Sequence, residues 1–391
     1  MATVLEIAKK MNKEYEDNNL LTKSSIVPYY KRLSCDAFGF NYPLYGGIPY
    51  GRITVFSGKE HSGKTLMAVL QMAAYQKENP DKLCVFVDVE HSLDMKFAVA
   101  MTGLDTDKML YMNPTTLSGE QVLNVILELQ QSDDIGMIVL DSIPALNPSI
   151  NLENDMEKDT GMRGTIAKSL HRFLNTMTPL LNRKNNILLM INQVRIAGTS
   201  FTGAPIYSEP GGSAPSYLAS VKVRFGTRTF TKEDNMDCCK PDGAGADGFR
   251  LKFQITKCKT SPCDRGGGFA TFRYLTGLDS LHDVIEIALT YGFIVRVNNI
   301  RYKLVNLETG EVYLDENGIP LDGKKSSLIE YLDTHEEFKK QYIDMLVKHI
   351  SASNDIKLLS KEELDEIKAE EAAVENSSDI KAAERIIADE E

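Results

Sequence analysis

Residues 58–65 read GKEHSGKT, and few stretches of eight residues restrict a fold so sharply. The spacing G-x-x-x-x-G-K-T lets Gly58 and Gly63 turn successive backbone N–H groups inward as an anion cradle, with Lys59, Glu60, His61 and Ser62 between them. Lys64 is placed to reach terminal phosphates and Thr65 to hold Mg2+ through its hydroxyl. The turn needs a strand before it and a helix after it, because the helix N-terminus adds its own unpaired N–H groups. Both are present: GRITVFSG over Gly51–Gly58 is a strand pattern, and KTLMAVLQMAAYQKEN over Lys64–Asn79 is a helical one. The expected fold is α/β, a P-loop core around a mostly parallel central sheet. Lys64 is expected to be exposed to solvent before nucleotide arrives.

Three further apolar runs read as buried parallel strands, and each ends in a polar residue. KLCVFVDVEHSLD (Lys82–Asp94) carries Glu90, a candidate base for orienting or deprotonating a water that attacks a γ-phosphate. GMIVLDS (Gly136–Ser142) ends near Asp141, a candidate Mg2+ holder through water. NILLMINQVR (Asn186–Arg195) ends near Gln193, an amide able to bond the γ-phosphate and report its presence to the segment beyond it. Open α/β sheets place ligands at strand carboxyl ends, so these side chains are expected around one nucleotide.

The segment beyond Gln193 is unusual. In Ile196–Ser216, four Gly, three Pro and four Ser fill eleven of twenty-one positions, and no helix or strand is expected there. Loops of that length inside a compact domain are lids, binding loops or linkers. The whole-chain charge of -11 is concentrated in a tail, since Glu362–Glu391 holds twelve acidic residues against three basic ones. The body is nearly neutral, so charge does not exclude a nucleic-acid partner. A zinc site from Cys238, Cys239, Cys258 and Cys263 lacks paired ligand spacing, and reduced thiols fit better. No membrane span and no signal-peptide core are visible, which points to the cytoplasm.

GKEHSGKT, VFVDVEHSLD, MIVLDSIPAL and MINQVR followed by a Gly-Gly-containing loop occur in the order and near the spacing of the RecA family of recombinases, which the chain resembles from about Leu33 to Ile350. The resemblance implies an ATP- and Mg2+-dependent homologous-recombination protein, a DNA-dependent ATPase that forms helical filaments on single-stranded DNA, pairs them with double-stranded DNA and exchanges strands. It implies an N-terminal oligomerisation arm (1–32), an ATPase core (33–278), a small α+β C-terminal domain (279–352) and an acidic tail (353–391). Residues 147–164 and 196–216 are similar to the family's two DNA-binding loops, with Arg163, Lys168 and Arg195 toward phosphates, Phe201 toward bases, and Gly211 and Gly212 in the second loop. Asp94 and Phe97 match positions flanking the adenine. Lys257 and Lys259 resemble a pair that reaches a neighbouring protomer's γ-phosphate, and Tyr217 is expected at the oligomer interface. Single-strand-binding and mediator proteins are implied partners, in a bacterial or phage-infected host cell. Ser216, where bacterial members tend to carry a basic residue, and the polar stretch 235–248 depart from the pattern, as in a divergent, phage-encoded member. A hexameric helicase with a related core, and a small-molecule kinase or other non-DNA P-loop ATPase using the loop as a substrate lid, are the alternatives.

Overall fold

The computed structural model describes residues 3–15, 30–149, 165–199, 205–231, 245–263, 265–290, 292–306 and 309–352. Its strands, in chain order, are β1 (Arg32–Leu33), β2 (Ile48–Pro49), β3 (Ile53–Gly58), β4 (Leu83–Asp88), β5 (Met109–Met112), β6 (Ile135–Asp141), β7 (Ile187–Gln193), β8 (Arg195–Thr199), β9 (Pro205–Ser208), β10 (Val221–Phe225), β11 (Thr229–Thr231), β12 (Gly248–Cys258), β13 (Gly267–Arg273), β14 (Gly277–Leu278), β15 (Ile294–Arg296), β16 (Arg301–Leu304) and β17 (Asp322–Lys324). Ten of them make one sheet in the order β14-β13-β12-β10-β3-β7-β6-β4-β5, with β11 paired to β12. From β10 to β5 every pairing is parallel, while β11, β12, β13 and β14 join antiparallel.

The parallel strands are apolar on both faces because helices cover both. Alternate residues divide between two buried clusters. Phe56, Phe86, Val139 and Leu189 face one layer, packed with Met67, Leu70 and Met72 of the helix Lys64–Glu78. Val55, Val85, Ile138, Leu140 and Leu188 face the other, packed with Val122 and Ile126 of the helix Gly119–Gln131 and Leu170, Phe173 and Leu174 of the helix Thr165–Lys184. Each fully buried Leu, Val or Phe contributes about 1.5–3 kcal/mol, so these strands are fixed by the core. The polar residues at their ends are then held by neighbours that do not move.

Two compact units divide the chain, Met1–Gln341 and Tyr342–Glu391. In the first, the helix Ser280–Thr290, the three-stranded antiparallel sheet β15-β16-β17 and the helix Lys325–Thr334 come after the large sheet in chain order. The second, in its described residues, is helical. Near the N-terminus, the helix Val4–Glu14 opens with a capping box between Thr3 and Glu6 and buries none of its residues, leaving Val4, Leu5 and Ile7 exposed. Arg32, at the expected end of the arm, pairs with Pro49 and donates to the carbonyls of Leu44 and Gly47.

The stretch after Gln193 differs from expectation. It contains the two-stranded antiparallel ribbon β8-β9, with Arg195 opposite Ser208, and a short helix Ala214–Leu218. A free ribbon tolerates residues that a central strand rejects. Pro205 opens β9, where a missing N–H costs least, and the register shifts between Ile196 and Gly198. Pro215 stands in the first turn of the helix, where its fixed φ favours helix.

Gly136 in β6 shows how tightly the two faces meet, since a Cβ there would lie 2.0 Å from the Tyr75 hydroxyl. Gly136→Ala is expected to destabilise the chain by about 1–3 kcal/mol through overpacking. Urea unfolding should show a lower midpoint with an unchanged slope.

Candidate active site

The loop Gly58–Thr65 closes over the carboxyl end of the sheet because β3 lies between β7 and β10, with Gly58 opposite Gln193 on one side and Phe225 on the other. Backbone shape dictates its glycines. Gly63 has φ +84°, and a Cβ there would lie 2.5 Å from the Leu251 side chain; one on Gly58 would lie 2.8 Å from the Phe225 carbonyl. The helix Lys64–Glu78 starts at the end of this turn, so its free N–H groups face the same space.

A cleft of about 380 Å³ opens beneath, lined by Lys64, Thr65, Glu90, Phe97, Asp141 and Gln193 among others. Glu60, His61, Ser62, Gly63 and Asp94 also border it. Gly58 and Lys59 border instead a second cavity of about 750 Å³, with Tyr207, Arg224 and Lys252. The Thr65 hydroxyl donates to Asp141 Oδ2 at 2.7 Å. Asp141 Oδ1 is buried and, among the described residues, has no hydrogen-bond partner. An acceptor left open in this way beside a hydroxyl oxygen is the donor set a hard divalent cation takes, so Thr65 and Asp141 fit Mg2+. Burial, first, and the charges of Glu90 and Asp88 push the Asp141 carboxyl up to about 6, against the lowering effect of the Thr65 bond.

Lys64 corrects an expectation, for its side chain is buried, with 8% of the residue exposed. Its ammonium donates to the Lys59 carbonyl at 2.7 Å and to Ser62 Oγ at 3.4 Å. The aliphatic stem lies under the loop while loop oxygens take the place of water around the charge. Burial holds its pKa below the ordinary lysine value, opposed by the nearby Asp141, Glu90 and Glu60 carboxylates.

Residues that the motifs did not single out hold this arrangement. Asp88, wholly buried at the end of β4, accepts from the N–H groups of Ser92 and Leu93 at 3.2 and 3.1 Å and from the Tyr111 hydroxyl at 2.8 Å. It thereby shapes the turn carrying Glu90 and Asp94. Ser142 Oγ donates to Glu90 Oε2 at 3.0 Å. Asp94 caps the helix Met95–Thr102 by accepting from Phe97 N at 3.1 Å, while the Phe97 ring stays 43% exposed at the cleft. Asn192 donates to the Pro210 carbonyl at 3.0 Å, tying the strand that carries Gln193 to the returning limb of the loop. Asp88 stood in the sequence as the first carboxylate of DVEHSLD; Ser142, Asn192 and the cleft-lining Arg228 carried no signal in spacing.

Other candidate residues lie elsewhere. Lys257 donates to the carbonyls of Ser216 and Tyr217 at 2.5 and 2.9 Å, and Lys259 to that of Tyr217 at 2.8 Å, at the end of the helix Ala214–Leu218. Burial and the neighbouring Lys259 charge lower the Lys257 pKa to about 8. The Tyr217 side chain is 74% exposed. Lys222, nearly buried, forms an ion pair with Glu209 at 2.8 Å and bonds Ser216 Oγ at 2.9 Å, bracing the foot of the loop. Arg195 is exposed at the start of the ribbon, Lys168 is exposed beside His171 and Arg172 on the helix Thr165–Lys184, and Gly211 and Gly212 both take positive φ. Arg163, Phe201, Cys238, Cys239, most of residues 147–164 and the acidic tail lie outside the described residues.

A glycine-rich phosphate turn on a parallel sheet, with an aspartate and an amide at adjacent strand ends and a hydroxyl in the first turn of the helix that follows, defines a P-loop nucleotide-binding protein. The RecA N-terminal domain model matches residues 5–270. The chain is similar to Protein RecA of Colwellia psychrerythraea, 29% identical over 328 residues covering 84% of this chain and 85% of that one. It is similar to Protein RecA of a Sulfurovum species at 34% over 259 residues, 66% and 70% of the two chains, and to that of Francisella philomiragia at 31% over 292 residues, 73% and 76%. The chain belongs to the RecA family. It is a divergent, RecA-like recombination and strand-exchange protein, a DNA-dependent ATPase. Among the described residues, no helix is long and apolar enough to cross a membrane.

The Asp141 carboxyl governs stability even without a ligand. Because its folded pKa of about 6 lies above the ordinary aspartate value, the folded state holds its proton longer than the unfolded one. Stability from this group is therefore full at pH below about 4 and is lost as pH rises through about 6. Asp141→Asn is expected to be more stable than the parent at about pH 7.5 without nucleotide, by up to about 3 kcal/mol. That advantage should disappear at about pH 3.5, as followed by urea unfolding at both values.

Proposed function

We propose that residues 58–65 hold the phosphates of ATP, with Lys64 on the terminal groups, and that Glu90 orients the attacking water and takes its proton. Thr65 and Asp141 would hold Mg2+, which when bound neutralises phosphate charge. The reading is carried by the Thr65–Asp141 bond, with its open Asp141 oxygen, at the same strand ends that place Gln193 opposite Gly58. Lys64 leaves the Lys59 carbonyl for phosphate oxygens, and Ser142 keeps Glu90 in position until nucleotide arrives. Asp94 and Phe97 border the adenine. Gln193 bonds the γ-phosphate, and the change passes through β7 and the Asn192–Pro210 bond into the loop.

The loop residues Phe201, Gly211 and Gly212, together with Arg163, Lys168 and Arg195, contact a single strand of DNA, whose phosphates supply the ordering energy. The arm 1–32 packs on the next protomer of a helical filament, the core is 33–278, a small domain spans 279–352, and the acidic tail 353–391 competes with DNA for cations. Tyr217 lies at the protomer interface, where Lys257 and Lys259 reach the neighbour's γ-phosphate and neutralise charge as an arginine finger does. The protein works in the cytoplasm, with double-stranded DNA, single-strand-binding proteins and mediators as further partners. The helicase and kinase alternatives are not favoured by a family match that covers residues 5–270.

One mixing experiment tests the site and the assembly together. Lys64→Ala and Lys259→Ala are each expected to lose at least about a hundredfold in DNA-dependent ATP turnover. Mixed in equal amounts, they should regain activity, because about a quarter of interfaces in a head-to-tail polymer pair an intact Lys64 with an intact Lys259. Full activity in Lys64→Ala alone would refute the phosphate site. Mixed filaments without restored turnover would refute the action of Lys259 across the interface.

A further inference from the structure

Arg228 lines the nucleotide cleft, and none of the roles above falls to it. It stands three residues past the end of β10, so the chain brings a cation to the cleft that Phe97 and Ala98 of the helix Met95–Thr102 also line. Its guanidinium carbon lies 5.1 Å from the Phe230 ring centre and 5.7 Å from that of Phe249. Among the described residues it has no ion pair and no hydrogen bond. An arginine held against two rings at the wall of the cleft stands ready for a planar or anionic ligand.

Two parts of a nucleotide fit such a group. The phosphate end of the cleft already has Lys64, the Thr65 hydroxyl and the loop N–H groups. The other part, a purine, offers a flat face. Phe97 exposes a ring to the same cleft, and Phe249, which backs the Arg228 guanidinium, lines it too. A weakly hydrated guanidinium stacks on such a face and loses little water in doing so. We propose that Arg228 is a base-recognition residue, its guanidinium, braced by Phe230 and Phe249, stacking on the purine of the bound nucleotide. The proposal rests on reading the cleft as the nucleotide site.

Isothermal titration of ADP, ATP and inorganic tripolyphosphate into the full chain tests it with Arg228→Ala and Arg228→Lys. The alanine variant should bind ADP and ATP about fivefold more weakly, ~1 kcal/mol, and tripolyphosphate as the parent does. The lysine variant keeps charge and length without the plane, and it should share the loss for both nucleotides. Unchanged nucleotide affinity would overturn the proposal. So would a parallel loss of tripolyphosphate, or full recovery with lysine, since both place the side chain on a phosphate. If alanine unfolds the chain, the lysine variant alone decides. A parent chain that binds no ATP would instead overturn the nucleotide reading and this proposal with it.

Discussion

The parallel register of β3, β7, β6 and β4 is the constraint on which the site depends. Gly58 lies opposite Gln193, Asp88 opposite Asp141 and Leu140 opposite Met190, so the strands end within two residues of one another, and Asp141, Gln193 and, just past β4, Glu90 line one cleft. That alignment comes from apolar alternation on two buried faces: a slip of one residue would turn Phe56 and Val139 into the wrong layer and carry the polar ends with them. The geometry of the strand ends is inherited from core packing, and the cost of moving a strand is the cost of repacking both layers.

Burial then sets the chemistry. Asp141 is sealed with one oxygen unbonded, and Lys64 is drawn under its own loop, so neither group has the water that would normally stabilise its charge. Each pKa is displaced toward the neutral form for the same reason. A ligand bringing both a divalent cation and phosphate oxygens offsets both deficits at once. On the proposed reading, a nucleotide would relieve both deficits, while Asp88 and Ser142 brace the turn carrying Glu90.

Much of this was legible in the sequence, and the reason is locality. The phosphate turn, the strand before it and the helix after it are contiguous, and apolar runs ending in Glu90, Asp141 and Gln193 announce buried strands directly. The features that escaped were non-local or depended on context. Glycine and proline in residues 196–216 argued against strands, yet a free ribbon accepts both at its start and at its bulge. Lys64 was expected in solvent, since nothing in the motif says that the Lys59 carbonyl can serve as its stand-in partner. Asn192 meets Pro210 only because the loop folds back to it, and Arg228 reaches the cleft from the segment between β10 and β11, about 160 residues beyond the phosphate turn.

Coupling between the nucleotide and the loop is the central claim, and the proposed function places it at Gln193. Hydrogen exchange of the amides in β8 and β9, measured with and without a non-hydrolysable ATP analogue, addresses it directly. The account predicts that the analogue slows exchange across the ribbon in the parent chain, and that Gln193→Ala still binds the analogue but loses this protection. Equal protection in both chains would contradict it, because the loop would then be sensing the nucleotide by a route that does not pass through the end of β7.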